Sequence, residues 1–271
     1  MLNDDRHRTD NSSPVCVAGM HRSGTSTVAQ LLYRCGLYLG KMKDLHAARS
    51  DNPDGYWEHR RLAGLNERIL ESFGGGWDFP PPLEEGWQED ERLSTLKMKA
   101  KRILSPFEGH EPWGWKDPRN SLTLPFWTSL LPETKVVVCL RNPLEVARSL
   151  HERGYSSPAF SFNLWITYNQ RLLDALQEGC YIVTHYQAYF HRPRKELRRV
   201  LDFLELPASD QLIANACYTT LKRDLRSHHN RTQELLKSDS PPQLKDLYLG
   251  LCREANWGYK APAVSEHTGD G

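Results

Sequence analysis

Residues 19–26 read Gly-Met-His-Arg-Ser-Gly-Thr-Ser and stand between a short apolar run and a helix-like segment. Two glycines in this spacing let the backbone wrap around an anion, and a following helix directs free N–H groups at it. Thr25 occupies the position where a nucleotide triphosphatase carries its lysine, and the cation stands inside the loop, as Arg22. The stretch predicts a phosphate-binding loop for a ligand other than a magnesium triphosphate. The alternative is a plain Gly/Ser turn between a strand and a helix.

Apolar runs and helical patterns alternate along the rest of the chain. The runs predict strands at residues 15–19, 113–116, 135–140 and 180–185. The helical patterns cover residues 25–35, 60–73, 91–104, 143–152, 162–178, 194–205, 209–222 and 241–254. This order is typical of a parallel sheet with helices on both faces. We therefore predict an α/β fold with a P-loop-type parallel sheet.

The polar composition of the two ends sets the expected domain boundaries. Residues 1–13 and 259–271 are rich in polar and small residues, which predicts disordered tails around a single domain at 14–258. Within that domain, the segment from Gly74 to Trp87 combines glycines, prolines and aromatic residues. Such a segment is either a functional lid or a surface Ω-loop.

Charge and cysteine content narrow the class of protein. The chain has 35 Lys and Arg against 34 Asp and Glu, so its net charge does not indicate a nucleic-acid or anionic-membrane partner. No apolar run approaches the roughly 18 residues of a membrane span, and the N-terminus shows no apolar signal region. The six cysteines form no C-x-x-C pair, which favours a reducing compartment. We therefore expect a soluble, cytoplasmic protein.

A second anion site is predicted after the strand at 135–140. Arg141 follows that strand directly, and Asn142 and Pro143 are suited to the N-cap and the first position of a helix. Open α/β sheets bind ligands at the carboxyl ends of their strands, and a magnesium-dependent enzyme would carry a carboxylate there. Arginine instead suits a phosphate bound directly. Ser149 supplies a hydroxyl eight residues later. The alternatives are a salt-bridged strand end for Arg141 and a serine that bonds its own helix for Ser149.

These two sites resemble those of the PAPS-dependent sulfotransferase family, whose donor is 3′-phosphoadenosine-5′-phosphosulfate. Its 5′-phosphosulfate loop, [KR]-S-G-T-[TS], matches residues 22–26, and its 3′-phosphate motif, R-[ND]-P-x5-S, matches residues 141–149. The resemblance spans residues 15–206 and includes the segment Tyr186-Gln187-Ala188, where the family often has Tyr-Glu-Asp beside the adenine. Gln187 and Ala188 depart from that pattern, and no C-terminal R-K-G-x-x-G segment is present. This chain is therefore closer to the tyrosylprotein, carbohydrate and bacterial branches than to the phenol and steroid branch.

The resemblance implies a metal-free site for PAPS and for its product, PAP. The implied cofactor-binding residues are Arg22, Ser23, Gly24, Thr25, Ser26, Thr27, Arg141, Ser149 and Tyr186.

Three further residues are candidates for the chemistry, together with Arg22. Lys116 lies in a Lys-Asp-Pro segment similar to that of protein-tyrosine and some carbohydrate sulfotransferases, where the lysine faces the leaving group. Glu58 matches the glutamate that serves as general base in the tyrosylprotein-like branch, and two aromatic residues precede it closely. His59 is the second candidate for the base. The alternatives are a Lys–Asp or Asp–Arg surface pair at residues 116–119 and a helix-terminal acid at Glu58.

The sequence thus predicts sulfuryl transfer to a hydroxyl or amine acceptor by in-line displacement. The alternatives are a small-molecule kinase with a degenerate phosphate loop and a catalytically inactive nucleotide-binding protein. The sequence leaves the class of acceptor and the oligomeric state open.

Overall fold

The predicted strands pair into one parallel sheet in the computed structural model, which describes residues 13–47, 55–107, 109–154, 157–221 and 232–258. The strands are β1 (Val15–Ala18), β2 (Gly114–Lys116), β3 (Lys135–Leu140) and β4 (Tyr181–His185). Their order in the sheet is β2-β1-β3-β4. All three pairings are parallel, with Val17 opposite both Lys116 and Val137. The α/β fold with a parallel sheet is confirmed. Of the tails predicted at 1–13 and 259–271, every residue except Ser13 lies outside the described residues.

The alternation of side chains along the strands divides the core between the two faces of the sheet. Val15 and Val17 of β1 join a cluster packed against the first helix, whereas Cys16 and Ala18 join the cluster on the opposite face. Because successive strand residues point to opposite faces, strands covered on both sides must be apolar throughout. That requirement explains why β1 is a continuous apolar run, fully buried.

The predicted helices are confirmed, with ends that shift by a few residues. The helices of the described ranges are α1 (Thr25–Arg34), α2 (Arg60–Glu71), α3 (Ser94–Leu104), α4 (Asn120–Leu130), α5 (Pro143–His151), α6 (Pro158–Ala175), α7 (Ala188–His191), α8 (Pro193–Phe203), α9 (Asp210–Thr220), α10 (Thr232–Lys237) and α11 (Pro242–Glu254). Asn142 caps α5 as predicted, since its Oδ1 accepts a hydrogen bond from the Leu144 N–H at 2.9 Å.

The sequence interpretation missed α4, together with the short helices α7 and α10. Most residues of α4 are buried, and Pro125 lies inside the helix, so neither an amphipathic period nor an uninterrupted pattern marks it. Its polar residues are satisfied by Asn66 of α2. The Asn66 side chain donates to Asn120 Oδ1 at 3.0 Å and accepts from Thr123 and the Trp127 indole at 2.8 Å. Tertiary hydrogen bonds therefore replace the polar face that a surface helix would show.

The connections of β1 and β3 place a crevice at the carboxyl edge of the sheet. β1 leads into α1, whose Val28 and Leu31 pack on the face that holds Val17. β3 leads into α5, whose Val146 and Leu150 pack on the opposite face. Neighbouring strands whose connections leave in opposite directions form the topological switch point at which open α/β sheets bind ligands. The predicted loop at 19–24 and Arg141 both lie at this point.

Candidate active site

The loop between β1 and α1 requires glycine at two positions. Gly24 caps α1 with φ 88°, and a Cβ there would lie 2.2 Å from Cδ2 of Tyr186. Gly19 has φ 140°, and its Cβ would lie 2.5 Å from the carbonyl oxygen of Cys139 in β3. Both positions therefore exclude a side chain by conformation and by contact. Arg22 also adopts the left-handed region, with φ 70°.

The two predicted anion motifs are in direct contact. The Nε of Arg22 donates to Ser149 Oγ at 2.8 Å, and Nη1 of Arg141 donates to the Arg22 carbonyl at 3.0 Å. Arg141 also donates through Nε to Glu145 at 2.7 Å, and its guanidinium carbon lies 4.5 Å from the centre of the Tyr186 ring. Among the described residues, Nη2 of Arg141 forms no hydrogen bond. The salt bridge proposed as the alternative for Arg141 thus exists, and it leaves one end of the guanidinium for a ligand.

Ser149 is buried within α5 and takes part in a long-range contact. Its hydroxyl accepts from an arginine that lies 127 residues earlier in the chain. The alternative of a serine bonded only to its own helix is therefore wrong.

Lys116, at the end of β2, joins the phosphate loop to the segment before α2. Its Nζ donates to Ser26 Oγ at 3.0 Å, to the Tyr56 carbonyl at 2.9 Å and to Oε1 of Glu58. Ser26 Oγ in turn donates to the Tyr56 carbonyl at 3.0 Å. The lysine and glutamate side chains are 1% and 9% exposed, so this ion pair is almost completely shielded from solvent. The structure thus brings together three of the predicted site residues.

The carboxyl group of Glu58 is held in an unusual state. Burial raises its pKa, the neighbouring Lys116 opposes that shift, and Asp117 adds to it. Its Oε2 is buried and has no hydrogen-bond partner among the described residues. Burying an acceptor without a partner costs free energy, so this oxygen is suited to a donor group brought by a ligand.

The rest of the Lys-Asp-Pro segment forms a second ion pair beside the first. Asp117 is fully buried and accepts from Arg119 N and Nε at 2.9 and 3.0 Å. Arg119 also donates through Nη1 to Glu67 of α2 at 2.9 Å. The Asp–Arg pair offered as an alternative is therefore present, although it is buried and leaves Lys116 to pair with Glu58.

His59 lies away from the Lys116–Glu58 pair. Its ring contacts Phe107, with centroids 5.5 Å apart, and its Cδ2 is 2.8 Å from the position of a Cβ on Gly40. Within the described part of the chain, no hydrogen bond joins His59 to Lys116 or Glu58. Burial lowers its pKa. Its role as the base stays a prediction with no support from its position.

The sequence interpretation did not assign a role to His21, which lies inside the phosphate loop. Its ring centroid is 4.5 Å from that of Trp77 and 5.7 Å from that of Tyr168. Its Nε2 is buried without a hydrogen-bond partner among the described residues. Burial and then the nearby cations, Arg119 first, lower the pKa of this histidine well below its usual value. Its position between Gly19 and Gly24 was the signal that could have identified it.

Comparison with known proteins identifies the family. The model of the sulfotransferase family matches residues 14–210, which is more than half of the chain. This protein belongs to the sulfotransferase family. Two nematode proteins, each named "Putative protein-tyrosine sulfotransferase", match over 108 residues. The one from Caenorhabditis elegans is 29% identical, and the match covers 36% of this chain and 41% of that protein. The one from Caenorhabditis briggsae is 28% identical, with 36% and 38% covered. The match thus spans less than half the length of these curated relatives.

Solved sulfotransferase structures share the fold. STF9 from Mycobacterium avium superposes with a TM-score of 0.54 at 14% identity, covering 92% of this chain and 78% of that one. The sulfotransferase domain of the Synechococcus PCC 7002 olefin synthase gives 0.53 at 17% identity, with 93% and 98% covered. In the described ranges, no cluster of three potential metal ligands and no helix long and apolar enough to cross a bilayer is found.

Proposed function

We propose that this protein transfers a sulfuryl group from PAPS to a hydroxyl or amine acceptor by in-line displacement. The observation that carries the proposal is the junction at the switch point, where Arg22 contacts Ser149 and Arg141 contacts the Arg22 carbonyl. Two anion-binding motifs separated by more than a hundred residues are thereby placed side by side. Lys116 and Glu58 lie next to this junction, because Lys116 bonds Ser26 of the same loop.

The residues at the junction suit a donor with phosphate groups at both ends. The loop bounded by Gly19 and Gly24 leads into α1, whose first N–H groups receive no side-chain cap and suit an anion bound without a metal. Arg141, with Nη2 directed to no partner among the described residues, suits the 3′-phosphate together with Ser149. Tyr186 packs on both motifs and fixes their spacing. When bound, PAPS supplies an activated sulfuryl group on a phosphate leaving group.

Glu58 and Lys116 have complementary roles in this proposal. Oε2 of Glu58 accepts the proton of the acceptor hydroxyl, because it is the oxygen that lacks a partner within the described residues. Lys116 holds the other carboxylate oxygen, Oε1, and so fixes the orientation of the base. Its ammonium group, with Arg22, neutralises negative charge that develops between the acceptor and the leaving group.

The kinase alternative has less support. A magnesium-dependent phosphoryl transferase holds its metal with a carboxylate near the phosphate loop. Arg141 occupies the end of β3, and the described ranges contain no cluster of three potential metal ligands. Turnover of a radiolabelled sulfate donor distinguishes an active enzyme from the catalytically inactive nucleotide-binding protein.

The class of acceptor and the cellular location are proposed on separate grounds. Because both nematode relatives are named putative protein-tyrosine sulfotransferases, we propose a peptide tyrosine as the first hydroxyl acceptor to screen. We propose a cytoplasmic location because all six cysteines are free thiols, five of them buried.

Ligand-induced stabilisation tests the donor site. We expect PAP to raise the melting temperature without added metal, and ATP with magnesium to raise it weakly or not at all. The stabilisation free energy follows RT ln(1 + [L]/Kd) with ligand concentration.

The Arg141→Ala variant should lose ~1.5–3 kcal/mol of PAP affinity by calorimetry, while its affinity for adenosine-5′-phosphosulfate changes little. Stabilisation that requires magnesium, or equal losses for both ligands, would contradict the proposed donor site.

A further inference from the structure

A basic groove lies between helices α2 and α3, and its lining includes no residue of the two anion motifs. It encloses about 430 Å³, a volume within the range of small-molecule sites. Its lining consists of Arg60, Arg61, Gly64, Leu65, Arg68, Lys99, Arg102 and Ile103. Five of these eight residues are cations, and none is acidic. We call this feature the α2–α3 groove.

The cations of the α2–α3 groove have no acidic partner among the described residues, although Arg60 donates to the Lys43 carbonyl. All five are exposed, and none of them forms an ion pair with any described residue. Glu67 of α2 pairs instead with Arg119. The chain as a whole carries a formal charge of only +1, so a general basic excess does not explain this concentration. Like charges gathered along one groove repel one another, and an anion bound among them relieves that repulsion.

A glycine at the floor of the groove gives the second observation. Gly64 lies in the middle of α2, where glycine costs roughly 0.5–1 kcal/mol relative to alanine. A Cβ at this position would meet no atom within 4 Å, so neither close packing nor a positive φ requires the glycine. Its effect is to leave the helix backbone open between Arg60 and Arg68, which stand one turn before and one turn after it on the same face. From Arg60 to Arg68 the helix rises about 12 Å, at 1.5 Å per residue, and Gly64 leaves the midpoint of this length without a side chain.

We propose that the α2–α3 groove binds a compact ligand that carries several sulfate or phosphate groups. The polar groups of the lining side chains are donors only, so they match a ligand whose contacting groups are all acceptors. Four of the five cations are arginines, whose planar forks pair bidentately with oxyanions. An extended peptide fits less well, because its backbone N–H groups would find no side-chain acceptor in this lining. The proposal does not rest on the proposed activity.

Direct binding to the full chain tests the groove, with sucrose octasulfate and inorganic tripolyphosphate as probes. We expect the double variant Arg68→Gln/Arg102→Gln to weaken binding of both probes by about tenfold or more, because two charge-assisted contacts are lost. The matched control is Arg194→Gln/Lys195→Gln, which removes the same charge from exposed cations of α8. The control should change affinity by less than about twofold, since distant exposed charges are screened at physiological salt. Equal weakening in both double variants would overturn the proposal, because it would show non-specific attraction.

Two substitutions of Gly64 separate binding from folding. Gly64→Glu places a negative charge on the floor and replaces glycine with a better helix former. It should abolish detectable probe binding while the melting temperature holds or rises. Gly64→Ala should keep probe affinity within about twofold, since the added methyl group meets no neighbour. Retained binding in Gly64→Glu would overturn the proposal.

Two comparisons decide the site and the ligand class. Arg22→Gln alters the phosphate loop, and it should leave binding of sucrose octasulfate unchanged. Loss of that binding would show that the probe occupies the donor site instead. A hexaglutamate peptide should bind at least about tenfold more weakly than sucrose octasulfate, because the lining offers no acceptor to its backbone. Equal affinity for the peptide would overturn the assigned class of ligand.

Discussion

At the scale of single residues, Glu58 faces two opposing influences. Burial disfavours its charged form, whereas Lys116 favours it, and the net result is a raised pKa. A base with a raised pKa is more strongly basic once deprotonated, which suits removal of a hydroxyl proton near neutral pH. The ion pair with Lys116 compensates the charge of the buried carboxylate. Removing one partner of such a pair is strongly destabilising, because the other charge is then left buried without compensation.

Replacing Glu58 with glutamine isolates its basicity. The amide oxygen of glutamine still accepts a hydrogen bond from Lys116, but the residue no longer takes up a proton. We expect kcat to fall by at least ~10² while PAP affinity by calorimetry stays within about twofold. Glu71→Gln, at an exposed acid of α2, the helix that follows Glu58, is the control and should leave kcat unchanged. Near-normal turnover in Glu58→Gln would exclude this residue as the base, and His59 would be the next to test.

The pH dependence of turnover provides a second measurement on Glu58. Because its pKa is raised, the carboxyl keeps its proton to a higher pH than an ordinary glutamate, whose pKa is about 4.3. Only the deprotonated form accepts a proton, so kcat at saturating substrates should rise with pH through this displaced value. The residual activity of Glu58→Gln should lack this acid limb. An acid limb at the ordinary glutamate value in the unmodified enzyme would contradict the burial-driven shift.

At the scale of elements, the loop before α1 depends on contact with another element as well as on its own conformation. Gly24 and Gly74 have similar backbone angles, φ 88° and 78°. They differ in their surroundings, since a Cβ on Gly24 would strike the Tyr186 ring and a Cβ on Gly74 would meet nothing within 4 Å. Comparing substitutions at these two glycines therefore separates the cost of conformational strain from the cost of steric contact.

Alanine at each glycine measures the two contributions. Gly74→Ala should lower the free energy of unfolding by roughly 1–2 kcal/mol, the cost of a left-handed non-glycine residue. Gly24→Ala should cost a further ~1–3 kcal/mol, because the ring and the loop must move apart. It should also weaken PAP binding, whereas Gly74→Ala should not. Chemical denaturation and calorimetry provide the measurements, and equal destabilisation by both variants would show that Tyr186 yields without cost.

At the scale of the whole molecule, the region around His21 is assembled from parts of the chain that are distant in sequence. Trp77 belongs to the irregular segment after α2, Tyr168 to α6, and Arg119 to the start of α4. The Tyr168 hydroxyl donates to the Trp77 carbonyl at 2.7 Å and so fixes the segment against the phosphate loop. This irregular segment therefore packs against the phosphate loop.

The neutral state of His21 makes stability sensitive to acid. Its pKa is lowered in the folded protein, whereas the unfolded chain takes up this proton near pH 6.5. The contribution to stability is therefore complete above about pH 6.5 and is lost as the pH falls toward the folded value. We expect the melting temperature to fall from pH 7 to pH 5, and His21→Phe to reduce that fall. His151→Phe, at an exposed position, is the control. An identical pH profile for His21→Phe would exclude His21 as the source, and His59, whose pKa is also lowered, would be tested next.

The sequence by itself determined the strands, most helices and the two anion motifs. Each depends on local requirements: continuous apolar runs for strands buried on both faces, glycines where the backbone must turn, and an arginine at a strand end. These requirements act over a few residues and are visible without a structure.

Only the tertiary structure decided which side chains meet. The Lys116–Glu58 pair joins residues 58 positions apart, and the Arg22–Ser149 contact joins residues 127 apart. Helix α4 escaped detection for the same reason, because Asn66 of another helix satisfies its polar groups. Such contacts depend on strand order and on the face to which each connection runs, and local sequence patterns do not encode either. The order β2-β1-β3-β4 places the ends of three strands together and so creates the site.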